Sequence, residues 1–116
     1  MDFTYYVGED VIISARLENR SRVLCVTWQK IEGTGSHVID TTLTKYKKTK
    51  QTVDEPILFI KDCTVDDIGE YFLLAACLDD IEIKSDIVHI NVVRGNFSVN
   101  GLHFRQFILT IKLLEN

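Results

Sequence analysis

Apolar and polar residues alternate along much of this chain with a period of two. From Asp10 to Leu17, Val11, Ile13, Ala15 and Leu17 share one parity while Ile12, Ser14 and Arg16 share the other, the spacing of a strand with one buried face. Val23 to Lys30 is β-branched and aromatic and sets Val26 and Trp28 on one face; the polar run Glu18-Asn19-Arg20-Ser21 separates it from the first strand. A turn at Gly33-Thr34-Gly35-Ser36 precedes a strand pattern from His37 to Leu43, and Lys45 to Asp54 reads as a polar, basic edge or loop. Ile57 to Ile60, Tyr71 to Leu78 and Ile81 to Val93 complete the series, the last two joined by a tight turn at Asp79-Asp80. Short strands, turn signals between them and no amphipathic helix before Arg94 predict an all-β antiparallel sandwich.

The pattern changes after Val93. Residues 1–93 form the predicted domain and 94–116 a linker and tail. Within Leu102 to Asn116, which carries Phe104, Phe107, Leu109, Ile111 and Leu113, the odd-numbered positions alternate like a strand, whereas Ile108 and Leu114 on the other parity also suit a buried helix; both readings stand. Arg105 and Lys112 interrupt the tail, which falls short of the about 20 apolar residues a membrane span needs.

Composition narrows the function classes. In 116 residues, 46% hydrophobic and 26% charged content is that of one globular domain. Lys and Arg number 13 against 17 Asp and Glu, a formal net charge of −4, and the basic cluster Lys45, Lys47, Lys48 and Lys50 does not offset it. Nucleic acid is therefore excluded as an expected partner. Cys25, Cys63 and Cys77 have no zinc-ligand spacing and allow at most one bridge. Met1 to Gly8 does not read as a secretory leader, so the chain is expected to be intracellular or a piece of a longer protein.

The most specific short signal runs from Leu58 to Tyr71. Its Leu58-x-Ile60 followed by Asp67-x-Gly69-x-Tyr71 resembles the E–F corner of immunoglobulin-superfamily domains of the I-set or V-set type. Gly8-x-x-Val11-x-Ile13-x-Ala15 resembles strand B of those domains, and Trp28 their buried strand-C tryptophan, so that the resemblance spans Tyr5 to Val93. It implies an immunoglobulin-like antiparallel β-sandwich with Greek-key connections. Leu58 and Ile60 then point inward, Gly69 occupies a turn that a Cβ would obstruct, and the Tyr71 hydroxyl bonds back to the corner. Ala15 and Leu73 stand where the family's inter-sheet disulfide would be, so packing with Trp28 replaces it. The resemblance also implies a basic partner for Asp67, supplied by Lys45, Lys47 or Lys48.

Functionally, the family implies a non-catalytic module for protein binding or adhesion within a larger multidomain protein, at the cell surface or outside the cell. A structural spacer, or an intracellular module of a signalling or cytoskeletal protein, is the alternative. The partner is another copy or another protein; no cofactor, metal, small-molecule substrate or membrane insertion is expected.

Residue by residue, the chemistry is sparse. Cys63 reads as a buried free thiol. Cys25 and Cys77 come to the same level if their strands pair, but alternation sends Cys25 outward and Cys77 inward, so a bridge would need a bulge. Asn19-Arg20-Ser21 and Asn96-Phe97-Ser98 are glycosylation sequons in exposed-reading segments. Asp66-Asp67 and Asp79-Asp80, with Glu82 and Asp86, read as solvated turn carboxylates without calcium-loop spacing. His37, His89 and His103 lie in no nucleophile motif, and no enzymatic activity is expected. The remaining signal is a face. With Tyr71, Leu73 and Ala75 inward, Phe72, Leu74 and Ala76 point outward beside Ile87 and His89, rimmed by Thr27 and Gln29. Such a face is expected to bind a partner unless the tail covers it or a neighbouring domain packs on it.

Overall fold

A computed structural model describes residues 1–18 and 20–95 and the backbone of 106–112. Nine strands are described: β1 (Asp2–Tyr6), β2 (Val11–Glu18), β3 (Val23–Glu32), β4 (Gly35–Val38), β5 (Ile57–Ile60), β6 (Gly69–Cys77), β7 (Glu82–Lys84), β8 (Val88–Val93) and β9 (Gln106–Lys112). They form a six-stranded sheet in the order β1-β8-β6-β3-β4, with β7 also on β6, and a three-stranded sheet in the order β5-β2-β9.

The core lies between the sheets and follows the alternation. Val11, Ile13, Ala15 and Leu17 of β2, Leu58 and Ile60 of β5, Val26 and Trp28 of β3, Tyr71, Leu73 and Ala75 of β6 and Val88, Ile90 and Val92 of β8 belong to one buried cluster. Trp28 is fully buried, directly opposite Leu73 on the neighbouring strand. Its backbone N–H donates to Gln51 Oε1 at 2.8 Å and its carbonyl accepts from Ile39 N at 2.9 Å, so a side chain completes this edge of the ladder.

Several elements differ from the alternation, each for a local reason. β1 was not announced by its short pattern; it pairs in parallel with β8, Tyr5 opposite Val92, and buries Tyr5 completely. The strand expected over His37 to Leu43 begins at Gly35 and stops at Val38. Beyond it, Asp40 accepts from Thr42 N at 2.9 Å and Thr42 Oγ1 at 2.6 Å, a side-chain turn that competes with a ladder. The run Ile81 to Val93 divides into β7 and β8. Lys84 faces Leu74 whereas Val88 faces Tyr71, one residue out of step. In the gap, Ser85 Oγ accepts from Leu73 N and Leu73 O accepts from Ser85 N, both at 2.9 Å. That bulge absorbs the extra residue.

Nor are the sheets wholly antiparallel, because β1 with β8 and β2 with β9 run parallel. The tail's two readings resolve in favour of a strand: β9 pairs with β2 from Ile12 opposite Gln106 to Glu18 opposite Lys112. This puts 106–112 on the smaller sheet rather than over the outer face of the larger one.

Candidate functional site

The best-defined polar construction is the corner before β6. Thr64-Val65-Asp66-Asp67 forms a single 3-10 turn closed by a capping box: Thr64 N donates to Asp67 Oδ2 at 2.8 Å, and Thr64 Oγ1 accepts from Asp66 N at 3.3 Å. Asp67 is 1% exposed, so the reading of Asp66-Asp67 as a solvated pair fails at this residue. Its charge is balanced by Lys45, whose Nζ lies 2.5 Å from Oδ2. The Tyr71 hydroxyl donates to Asp67 O at 2.7 Å. Burial, with the nearby Tyr46 and Asp67, raises the Tyr71 phenol well above its ordinary value.

Gly69 needs a correction. Its φ is not left-handed; a Cβ would instead meet Lys30 Cε at 3.0 Å. Lys30 lies there because its ammonium sits 5.5 Å from the Tyr71 ring centroid and donates to Asp66 O at 3.0 Å. The glycine makes room for a side chain over the corner. Beside it Cys63 is a fully buried free thiol that donates to Tyr6 O at 3.2 Å, and burial pushes it up to about 11.

Cys25 and Cys77 are both free. A bulge does fall between Val23 and Cys25, but it sets Val23 opposite Cys77 and Cys25 opposite Ala76. Cys25 is exposed and Cys77 buried, so the bridge considered from the sequence is not formed. The extra residue of the bulge, Leu24, is 64% exposed. Asn19 and Asn96 of the sequons, and His103, lie outside the described residues.

The outer face of the larger sheet is built from registered rows. Val38, Gln29 and Phe72 stand side by side across β4, β3 and β6; Thr27, Leu74 and Lys84 form the next row, and His89 lies opposite Glu70. Ser36 Oγ donates to Gln29 Oε1 at 2.6 Å and Gln29 Nε2 to Thr27 Oγ1 at 3.1 Å, which fixes the amide in a chain of satisfied groups. Phe72 points outward as alternation required, yet it is only 2% exposed. Lys84 holds its ammonium over the ring, 5.1 Å from the centroid. The expectation of an open Phe72 is thus corrected: it is the floor of the face. Leu74, Ile87, Thr27 and Gln29 are half-buried and His89 is exposed.

Sequence reasoning missed Val38, 47% exposed on this face, because β4 was misplaced along the chain. It also missed the end of the sheet where Leu78 and Ile81 flank the Asp79-Asp80 turn and are 44% and 46% exposed. Among the described residues no group of three or more His, Cys, Asp or Glu side chains converges, and no helix is long and apolar enough to cross a membrane.

No family model and no curated protein matches the chain. Solved structures do. The extracellular domain of the voltage-gated sodium channel beta4 subunit, described as forming parallel homodimers that explain its role in cell–cell adhesion, superimposes with a TM-score of 0.56 at 12% identity. The match covers 81% of this chain and 92% of that one. Tim-1 superimposes with a TM-score of 0.61 at 13% identity over the same shares. At these identities the likeness establishes the fold: an immunoglobulin-like β-sandwich, here without a disulfide.

Proposed function

We propose that this domain is a non-catalytic protein-recognition module that engages its partner through the outer face of the larger sheet. The observation that carries the reading is the pairing of Val38, Leu74 and Ile87, which remain partly open to solvent over the sealed Phe72, with the hydrogen-bonded frame of Ser36, Gln29 and Thr27. An apolar middle and a polar margin whose groups are already satisfied is how protein interfaces are composed. Ordering is slight on binding, because the amide chain and Phe72 are held in advance. Likeness to a beta4 domain that forms adhesive homodimers supports a second copy as the first partner to test.

Sedimentation velocity over a wide concentration range measures this directly. Reversible dimerisation is expected, abolished by Val38→Glu with Leu74→Glu at unchanged far-ultraviolet circular dichroism. A sandwich that stays monomeric, or a double variant that still associates, removes this face from the interface. One observation favours a second reading, a spacer domain: Lys84 seals Phe72 from within the same sheet, which reduces the apolar area on offer. That reading expects no association and no effect of the double substitution.

A further inference from the structure

The basic cluster left unused by this reading sits on the opposite sheet and forms a bay. Thr44, Lys47, Lys48, Phe59 and Lys61 line a shallow cavity of about 230 Å³. Alternation along β5 creates its floor: Leu58 and Ile60 are fully buried, so Phe59 between them turns outward and stays half-buried. The backbone of Phe59 is held by Thr49, whose Oγ1 accepts from Phe59 N at 3.0 Å and donates to Phe59 O at 2.9 Å. Tight turns wind the segment above it, with Tyr46 N on Leu43 O at 3.0 Å and Thr49 N on Tyr46 O at 2.9 Å. Lys61 N on Lys45 O at 2.9 Å ties that segment to the end of β5.

Charge is distributed unevenly over these lysines. Lys45 is spent on the buried Asp67 and Lys50 on Glu55 at 3.2 Å. Lys47, Lys48 and Lys61 are exposed and pair with no carboxylate among the described residues, and Lys48 holds its ammonium 5.2 Å from the Phe59 ring centroid. Three uncompensated cations around an aromatic floor, on a chain of net charge −4, are a local anion site.

We propose that this bay binds a sulfated saccharide chain. The C–H face of a pyranose ring stacks on Phe59, taking the place of the exposed Lys48 ammonium over the ring, while its sulfate groups reach sideways to the Lys47, Lys48 and Lys61 ammonium groups. Lysine suits that role, since a compact charge with rotatable donors follows a freely turning sulfate ester without the planar register arginine demands. A bare anion would leave the ring unused. A nucleic acid needs a longer basic track than one bay on an acidic chain.

The test is titration calorimetry of the whole chain with a heparin-derived hexasaccharide at physiological ionic strength, with amide and ring-proton shifts followed by NMR. Saturable binding is expected, with the largest shifts at Phe59, Lys47, Lys48 and Lys61. Lys47→Gln with Lys61→Gln should weaken it about ten-fold or more, each lost charge contact being worth up to a factor of several. Phe59→Leu should also weaken it with all the charges in place, and Arg22→Gln, at a basic residue paired with Asp79 and outside the bay's lining, should leave it unchanged. Equal affinity in the lysine double variant, or shifts that map elsewhere, overturns the site. If Phe59→Leu binds as tightly as the unsubstituted chain, or vesicles of phosphatidylserine and phosphatidylcholine bind as tightly as the hexasaccharide through the same lysines, the saccharide is wrong. Should Phe59→Leu fail to fold, unmoved Phe59 ring protons in the unsubstituted chain exclude the stacked sugar in its place.

Discussion

Strand β6 is closed at both ends by aspartate-rich turns, and the two are held in opposite ways. Before the strand, Asp67 is buried and its carboxylate and carbonyl are both engaged, by Thr64 N and Lys45 on one side and the Tyr71 hydroxyl on the other. After it, Asp79 and Asp80 adopt left-handed φ values of 66° and 57° in the open; Cys77 N on Ile81 O at 2.7 Å closes the loop, and the exposed Arg22 pairs with Asp79 at 3.0 Å. Two consecutive left-handed residues shape this three-residue loop, Leu78–Asp80, but they strain side chains bearing a Cβ. One end is determined by burial and the other by backbone twist. Identical residues therefore carry very different energies, because water is excluded from one turn and not the other.

The scale for this contrast is set between the two ends by Trp28, opposite Leu73. Trp28→Ala should cost about 3–5 kcal/mol in denaturant unfolding, the range for emptying a large aromatic site. Asp67→Ala comes next, at about 2–3 kcal/mol: it leaves Thr64 N without its acceptor, although Lys45, at 31% side-chain exposure, can turn to solvent. A loss below the cost of an ordinary surface change would break the contrast. Tyr71→Phe should cost about 1–2 kcal/mol by leaving the buried Asp67 carbonyl unpaired.

Alkali sharpens the same comparison. The folded Cys63 thiol holds its proton to about pH 11 while the unfolded one releases it near 9, so across that window the unfolded state binds fewer protons and stability falls as pH rises. Tyr71 acts in the same direction from the higher ordinary value of a phenol. Cys63→Ala should flatten the part of the stability–pH curve that begins near 9, measured by urea midpoints. At the open end effects are smallest. Arg22→Ala should change stability by no more than about 0.5 kcal/mol, as exposed ion pairs do. Asp80→Gly should raise stability by up to about 1 kcal/mol by relieving the left-handed strain. A large loss in either variant would mean that the hairpin is held by more than its twist.

The corner was legible because its information is local. Leu58-x-Ile60 and Asp67-x-Gly69-x-Tyr71 lie within one short stretch, and alternation plus hydroxyl reach suffice to bring Tyr71 onto Asp67. Gly69 was read for the wrong reason: the body above it is Lys30, far away in the chain. The outer face of the larger sheet was legible in direction but not in exposure. Parity sent Phe72 outward, and only the pairing of Leu74 with Lys84 revealed the side chain that covers it. Val38 was lost with the misplaced β4, because the Asp40 side-chain turn that ends the strand competes on nearly equal terms with continued pairing. The lysine bay needed folding altogether. Lys47, Lys48 and Lys61 are brought around Phe59 by a turn and a strand that neighbour each other only in three dimensions.

Alternation by itself determined which faces are buried, since a strand's side chains have a period of two and an apolar set on one parity has only one core to enter. The same rule kept Cys25 and Cys77 on opposite sides, against any bridge between them. Tertiary structure decided what alternation cannot encode: the one-residue slips that separate β7 from β8 and push out Leu24, and the sheet that receives β9. It also decided which of the lysines are neutralised and which are left to face solvent. These depend on partners distant in the chain, and a period of two carries no record of who the neighbour will be.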